Sequence, residues 1–431
     1  MKPTIPRRST VAVFLVIMGV APIDGQRRPN GSAPVSGTAS APASDAITPF
    51  KIHVPDAVLA DLKERLARAR PPEELDGSGW THGTSLAYLR ELTAYWRDKF
   101  DWRAQERRLN QFEQFKTTID GIGVHFIHRR SKEPNALPLI LIHGWPGSFA
   151  EFAKVIDPLT DPVRHGGRPE DAFDVVVPSL PGYGFSDKPP QYGYGRDRTA
   201  AIFVQLMARL GYQRYGAQGG DLGAGISNKM ALDDAPHVAG LHLNLCTNGV
   251  PPDPANPSAG VPAEELARMR ERDAFWTDEQ TAYSHMHGTR PQTIGYALND
   301  SPLGLAAWIV EKFRTWCDCD GNPEKGFTKD ELLTNLTIYW ATQTATSAAR
   351  FYYDNRHGSA PPIQQRVEVP TACAVFPKEI RFTPRRWLET RYNLTRFTIM
   401  PRGGHFAALE QPEFLVNDVR AFFRDLRSTP R

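Results

Sequence analysis

Residues 214–223 read RYGAQGGDLG and carry the strongest indication of the fold. Residues 214–218 are predicted to form a strand and residues 224–232 a helix, with Gly219-Gly220-Asp221-Leu222-Gly223 as the turn between them. A tight strand-to-helix turn with small flanking residues is typical of a nucleophile elbow, which exposes one side chain at the edge of a sheet. That side chain is Asp221, and no Gly-x-Ser-x-Gly motif occurs in the chain. The alternative is a glycine-rich turn whose aspartate only caps the helix.

Strands and helices alternate on both sides of this turn, which predicts a mostly parallel α/β sheet with helices on both faces. The alternation stops near Asn248, and about 110 residues with mainly helical patterns follow before strands resume. We therefore expect one α/β core interrupted by a helical cap. The predicted core strands cover residues 137–142, 173–177, 238–245, 371–376 and 397–400, and the predicted core helices cover 199–210 and 412–426.

The segment before the core predicts two helices and a hairpin. One helix begins near Asp56, which is suited to cap it, and another begins near Ser85. Two strands, over 114–118 and 122–127, should form a hairpin joined by a turn at Asp120-Gly121. The expected organisation is a signal or anchor (1–21), a linker (22–47), an extension with the hairpin (48–130), the first core part (131–247), the cap (248–355) and the second core part (356–431).

Composition excludes several classes of protein. The 51 Lys and Arg residues nearly balance the 48 Asp and Glu residues, so the formal net charge is +3, which argues against a nucleic-acid partner. The four cysteines lack the paired spacing of a zinc site, and Cys317 and Cys319 are too close in sequence for an ordinary bridge. We interpret all four cysteines as structural.

The amino terminus has the pattern of an export signal. Basic residues precede an apolar run over 11–21, which is shorter than the roughly 20 residues of a membrane span, and a Pro/Ala/Ser/Gly-rich stretch follows. We expect export to the periplasm or medium after cleavage; the alternative is an uncleaved membrane anchor.

Two further motifs follow predicted strands at positions that complete a catalytic site. His143-Gly144-Trp145-Pro146-Gly147 follows the strand over 137–142, so the backbone N–H groups of Trp145 and Leu222 can form an oxyanion hole. His405 follows the last strand, where this architecture carries its general base. Glu379, in the loop after the strand over 371–376, is the candidate acid that orients His405.

An aspartate nucleophile suits displacement at an sp³ carbon, because a carboxylate is ionised at neutral pH and forms an alkyl ester. Such a site can open epoxides or displace halide. A departing epoxide oxygen needs an acid, which tyrosine hydroxyls can supply. The cap candidates are Tyr283, Tyr296, Tyr339, Tyr352 and Tyr353.

Long motifs give the chain a resemblance to epoxide hydrolases of the microsomal and juvenile-hormone type, which have an α/β-hydrolase fold with an amino-terminal extension. The matching motifs are HGWPGSF at 143–149, PSLPGYGFS at 178–186, GGDLG at 219–223, TRPQTIGYALNDSPLGLAAWIVEKF at 289–313, RFYYDN at 350–355, FPKE at 376–379 and GGHFAALEQPE at 403–413. One departure is Leu222, where microsomal members carry an aromatic residue.

The resemblance implies a role for each candidate. Asp221 is the nucleophile, His405 with Glu379 activates water, and Tyr283 and Tyr352 hold the epoxide oxygen. Tyr353 should face elsewhere, because adjacent helical positions point in different directions. The expected partners are a small hydrophobic epoxide and water, with no cofactor and no metal. The alternatives are an aspartate hydrolase similar to haloalkane dehalogenases and a non-catalytic binder of hydrophobic ligands.

Overall fold

The structure, a computed structural model, describes residues 45–358 and 363–427. The predicted signal segment and most of the predicted linker lie outside these residues. Within them, no helix is long and apolar enough to cross a membrane.

A nine-stranded sheet forms the centre of the fold, in the order β1-β2-β3-β5-β4-β6-β7-β8-β9. The first four strands in this order pair antiparallel, and the six from β5 to β9 run parallel. This confirms the predicted α/β sheet. The strands are Thr48–Phe50 (β1), Gln114–Ile119 (β2), Ile122–Arg129 (β3), Leu137–Ile142 (β4), Phe173–Pro178 (β5), Tyr215–Gly219 (β6), Val238–Leu243 (β7), Val367–Val375 (β8) and Tyr392–Ile399 (β9).

The parallel register positions the site. Ile142 at the end of β4 pairs with Gly219 at the end of β6, so the loops that follow these strands leave the sheet side by side. The strands β4 to β7 are apolar and buried because helices cover both faces. The helices of the core are Ile156–Thr160 (α4), Arg196–Arg209 (α5), Asp221–Asp233 (α6), Arg385–Leu388 (α13), Ala407–Glu410 (α14) and Pro412–Arg427 (α15), with 3₁₀ turns at Phe149–Lys154, Pro162–His165 and Pro169–Asp171.

The cap lies between β7 and β8 in the chain and is helical, as predicted. Its helices are Ala263–Phe275 (α7), Ala282–Thr289 (α8), Pro291–Asp300 (α9), Pro302–Trp316 (α10), Lys329–Thr342 (α11) and Ala345–His357 (α12), with a π-helical turn at Trp276–Gln280 and a 3₁₀ turn at Pro323–Lys325. Thr328 and Glu331 form a capping box at the start of α11, which fixes where that helix begins.

The amino-terminal extension contains the two predicted helices, Asp56–Ala67 (α1) and Leu86–Asp98 (α2), and a third, Trp102–Leu109 (α3), that the sequence pattern did not reveal. The expectation that Asp56 caps α1 is wrong: Pro55 occupies the N-cap, and the carboxylate of Asp56 pairs with Arg103 on α3 instead. Pro55 suits this position because its fixed φ begins a helix without needing an N–H donor.

The four cysteines form two pairs, which the sequence analysis did not predict. Cys246, just after β7, is bonded to Cys373 in the neighbouring strand β8. Cys317 is bonded to Cys319, contrary to the expectation that they are too close. The backbone is extended at Cys317, where α10 ends, and it then turns back, leaving the two Cα atoms 5.3 Å apart.

Candidate active site

Asp221 sits at the tip of a constrained elbow between β6 and α6. Its φ is +48°, in the left-handed region that non-glycine residues seldom adopt. The flanking glycines make this turn possible, because a side chain at Gly223 would collide with the carbonyl of Ile142 and one at Gly219 with the backbone of Gly223. The elbow therefore presents Asp221 at the helix amino terminus, where exposed N–H groups favour negative charge.

The loop after β4 supplies a hydrogen-bond donor to this carboxylate. The backbone N–H of Trp145 donates to Oδ1 of Asp221 across 2.8 Å. Leu222 is the second residue of α6, so its N–H lacks an acceptor within the helix. His143 braces the loop: the Leu180 N–H donates to its Nε2, and its Nδ1 lies 3.1 Å from the carbonyl of Gly144. Burial lowers the pKa of His143 to about 4, so it remains neutral.

His405 and Glu379 complete a line of three groups. Nε2 of His405 lies 3.3 Å from Oδ2 of Asp221, and its Nδ1 lies 2.5 Å from Oε1 of Glu379. His405 follows β9 and Glu379 follows β8, so the structure brings together residues that are distant in sequence. The side chains of His405 and Glu379 are both buried.

The two carboxylates hold a proton on the histidine. Burial alone would lower the pKa of His405, but the charges and hydrogen bonds of Glu379 and Asp221 raise it well above the ordinary value. With Asp221 unreacted, His405 is therefore an imidazolium between two carboxylates. Any reaction that neutralises Asp221 removes part of this support, lowers the histidine pKa and frees the imidazole to act as a base.

Two tyrosines of the cap lie over the loop that carries Trp145. The hydroxyl oxygens of Tyr283 on α8 and Tyr352 on α12 are 3.5 Å apart. The Tyr283 ring stacks on Trp145 at 4.5 Å, and the Tyr352 ring meets Trp145 edge-on at 6.3 Å. Burial raises the pKa of both tyrosines well above the ordinary value. Both hydroxyls therefore keep their protons and can donate hydrogen bonds.

The other candidate tyrosines lie elsewhere. Tyr296 is exposed, and Tyr353 stacks on His357 away from the pair. Tyr339 is buried, but its hydroxyl donates to the carbonyl of Gly147. Among the cap tryptophans, Trp316 packs edge-on against His405 at 5.1 Å.

Sequence reasoning missed two side chains at the site. His287 lies one turn after Tyr283 on α8, and its ring packs against Trp145 and both tyrosines. Burial lowers its pKa to about 3, and the Trp308 indole N–H donates to its Nε2. The four-residue spacing of Tyr283 and His287 is the signal that could have identified it.

Glu151 is the second residue that was missed. It lies on the 3₁₀ turn Phe149–Lys154 and lines a small cavity together with Asp221 and His405. No pattern in the sequence distinguishes it from a surface glutamate.

This geometry defines a class: an α/β-hydrolase whose elbow carries aspartate, with a histidine–glutamate pair behind it and a tyrosine pair on the cap. Comparison of the chain with known protein families agrees with this class. Residues 47–152 match the family described as epoxide hydrolase N terminus, and residues 138–355 match the alpha/beta hydrolase fold family.

Individual relatives are similar over most of their length. Epoxide hydrolase 1 of Sus scrofa is 40% identical over 413 residues, which cover 90% of this chain and 91% of the pig protein. The crystal structure of juvenile hormone epoxide hydrolase from the silkworm Bombyx mori is 34% identical, with a TM-score of 0.83 and coverage of 89% of this chain and 96% of that one. The Aspergillus niger epoxide hydrolase structure is 36% identical, with a TM-score of 0.78 and coverage of 89% and 97%. The chain belongs to the epoxide hydrolase family, in its microsomal and juvenile-hormone branch, and is a hydrolase.

Proposed function

We propose that the enzyme converts hydrophobic epoxides to vicinal diols through a covalent ester on Asp221. The observation that carries the proposal is the tyrosine pair. Two protonated hydroxyls 3.5 Å apart leave room for one acceptor oxygen at hydrogen-bond distance from both, as an epoxide oxygen requires. A departing halide would not need a proton donor.

The first step opens the epoxide. A carboxylate oxygen of Asp221 attacks an epoxide carbon, the carbon–oxygen bond on the far side breaks, and the released oxygen takes a proton from Tyr283 or Tyr352. The imidazolium of His405 then returns a proton to the tyrosinate through water. Since Asp221 has become a neutral ester, His405 no longer needs to balance its charge.

The second step hydrolyses the ester. Neutral His405 removes a proton from water, and the hydroxide attacks the carboxyl carbon of Asp221. The N–H groups of Trp145 and Leu222 stabilise the tetrahedral oxyanion, while Glu379 stabilises the imidazolium. When the intermediate collapses, the diol oxygen leaves and takes the proton of the His405 imidazolium. The carboxyl group left on Asp221 then gives its proton to His405, which restores the carboxylate–imidazolium pair. The proton transfers of this step therefore need only these side chains and water.

The decisive experiment is a single turnover in ¹⁸O-labelled water. Ester hydrolysis predicts that the label enters Asp221 and not the first diol released. Direct incorporation of the label into that diol would overturn covalent catalysis.

Two variants separate the half-reactions. His405→Gln should form the ester and fail to hydrolyse it, so intact mass spectrometry should detect a stable adduct. Asp221→Ala should form no adduct. An adduct on the Asp221→Ala protein would assign the nucleophile elsewhere.

We also propose that the protein is exported, as the amino-terminal pattern indicates. The pairing of Cys246 with Cys373 supports this, because disulfides persist in oxidising compartments. Cell fractionation with amino-terminal sequencing of the mature protein tests it, and recovery of the full-length chain in the cytosol would contradict it.

A further inference from the structure

The loop that carries His405 is held by the cap as well as by the sheet. Residues 403–406 form this base loop, and each of their four backbone N–H groups has an acceptor. The N–H of Gly403 donates to Oδ2 of Asp318 across 2.8 Å. The N–H of His405 donates to the carbonyl of Trp316 across 2.9 Å. Both acceptors belong to the cap, at the carboxyl end of α10 and just beyond it.

Glu410, on α14 of the core, bonds to both sides of this contact. Its Oε2 accepts from the N–H of Asp318 in the cap at 2.8 Å and from that of Gly404 in the base loop at 3.0 Å. Its Oε1 accepts from the N–H of Phe406 at 2.9 Å. Burial raises the pKa of Glu410 to about 7, whereas these three N–H groups and the charge of His405 favour its ionised form. Because one carboxyl group bonds to both, the base loop and the end of α10 are fixed relative to each other.

Packing between the cap and the base loop supports the same contact. The Phe313 ring of α10 stacks on Phe406 at 4.1 Å, and the Trp316 ring meets His405 edge-on at 5.1 Å. A Cβ atom at Gly404 would lie 2.5 Å from the carbonyl oxygen of Trp316. Only glycine therefore allows the base loop to approach the cap this closely.

We propose that Asp318 and Glu410 are positioning residues that set where Nε2 of His405 lies relative to the ester on Asp221. The proposal rests on the proposed function. Both residues act through the backbone of the base loop, because their hydrogen bonds are to its N–H groups and not to the imidazole. Glu379 orients the ring through Nδ1, whereas the base loop fixes the position of the backbone that carries the ring.

The segment that presents Asp318 is itself constrained. Asp318 lies between Cys317 and Cys319, which are bonded to each other. A bond between the two flanking residues restricts the backbone conformations open to the segment. This restriction lowers the entropy cost of holding the carboxyl group of Asp318 against Gly403.

The two half-reactions differ in how strongly they depend on the position of His405. Ring opening uses Asp221 and the tyrosine pair, and His405 only returns a proton afterwards. Ester hydrolysis needs Nε2 within hydrogen-bond distance of the attacking water while Nδ1 keeps its bond to Glu379. A displacement of about 1 Å can cost about 10²-fold in rate. A shift of the base loop should therefore slow hydrolysis much more than ester formation.

The test compares Asp318→Ala with Asp318→Asn in single-turnover experiments that measure ester formation and ester hydrolysis separately. Asp318→Ala leaves the buried N–H of Gly403 without its acceptor. This variant should form the ester within about 3-fold of the wild-type rate and hydrolyse it at least about 10-fold more slowly, so the adduct accumulates. Asp318→Asn keeps an acceptor oxygen for the same N–H and should hydrolyse the ester within about 3-fold of the wild-type rate.

Two further variants extend the comparison. Glu410→Gln replaces one acceptor oxygen by an amide nitrogen that cannot accept, so it should show the same selective loss of hydrolysis. Asp320→Ala is the matched control, because this exposed carboxylate pairs with Lys325 and should change neither rate when it is removed. The amount of ester formed per protein chain reports the folded fraction, so a loss of folded protein is not mistaken for slow hydrolysis.

The proposal is overturned if Asp318→Ala hydrolyses the ester at the wild-type rate, if it slows both steps equally, or if Asp318→Asn is as slow as Asp318→Ala. Unimpaired hydrolysis in Glu410→Gln would overturn the role of Glu410. Failure of the wild type to form any ester would instead refute the proposed function, so the two failures are distinguishable.

Discussion

Replacing Tyr283 and Tyr352 by phenylalanine removes both hydroxyls from the cap side of the site while leaving the aromatic packing on Trp145. In the wild type, each hydroxyl can reach a shared oxygen, because they lie 3.5 Å apart. One preorganised donor to a developing negative charge contributes about 10²- to 10³-fold in rate. A single substitution leaves the other donor in place, so we expect each single variant to open epoxides about 10- to 100-fold more slowly.

The double variant should lose far more than either single variant. With no donor left, the epoxide oxygen would leave as an unprotonated alkoxide, and ring opening should slow by at least about 10⁴-fold. The assay is rapid-quench mass spectrometry of ester formation in a His405→Gln background, which isolates the first step. Tyr353→Phe is the matched control, since this neighbouring residue stacks on His357 outside the site and should open epoxides normally.

Two results would refute this reasoning. If the double variant opens epoxides within about 10-fold of wild type, the tyrosines are not the acid. If one single variant is as slow as the double variant, the hydroxyls do not share one oxygen, and only one of them acts on the substrate.

Three other perturbations have defined outcomes. Because the pKa of both Tyr283 and Tyr352 is raised well above 10, the rate of ring opening should stay constant as the pH passes 10, and a decline with a midpoint there in stopped-flow traces would contradict this. His287→Phe removes the acceptor of the half-buried Trp308 indole N–H, so urea titration should show a loss of about 0.5–1.5 kcal/mol in the free energy of unfolding. Burial would raise the pKa of Asp418, but hydrogen bonds from its three partners lower this pKa to about 2. The ionised carboxylate therefore contributes about 2 kcal/mol to the free energy of unfolding above pH 4, and this contribution is lost as the pH falls toward 2. Asp418→Asn should therefore be less stable than wild type at pH 7, with the difference shrinking below pH 4; a difference that is independent of pH would argue against this origin.

The core could be predicted from sequence because its signals are local. Apolar runs such as the one in Leu137–Ile142 predict buried strands, and the glycines around Asp221 predict a sharp turn at a known place in the strand order. The loops that follow parallel strands lie at the same edge of the sheet. The order of strands and helices therefore also predicts that His405 and Glu379 come close to Asp221. In the structure His405 lies 3.3 Å from Asp221, and Glu379 lies 2.5 Å from the other ring nitrogen of His405.

The remaining features depend on contacts between distant parts of the chain. Glu151 differs from a surface glutamate only because the cap and the extension close over it. Helix α3 has a strongly charged sequence, and it is held in place by buried Glu106, which accepts hydrogen bonds from Val54 and Trp102. The pairing of Cys246 with Cys373 requires β7 and β8 to be adjacent, although 127 residues separate the two cysteines. No local pattern encodes such proximity.

The amino-terminal extension helps to hold the cap in position relative to the core. In the proposed mechanism the core supplies the nucleophile and the base and the cap supplies the acid, so catalysis would require the two parts to keep their relative position to about half an ångström. On one side, α11 of the cap is fixed to the loop after β4, since Asn335 donates to the carbonyl of Pro146 across 2.8 Å.

On its other side, α11 is held by the extension. The Trp96 indole on α2 donates to the hydroxyl of Thr337 at 2.9 Å, and the Tyr95 hydroxyl donates to Asp330 at 3.0 Å. Because Trp96 and Thr337 are buried, breaking this contact leaves an unpaired donor and costs more than a surface hydrogen bond. Through these contacts the extension helps to fix the position of the cap relative to the core, and with it the distance between the proposed acid and the proposed nucleophile.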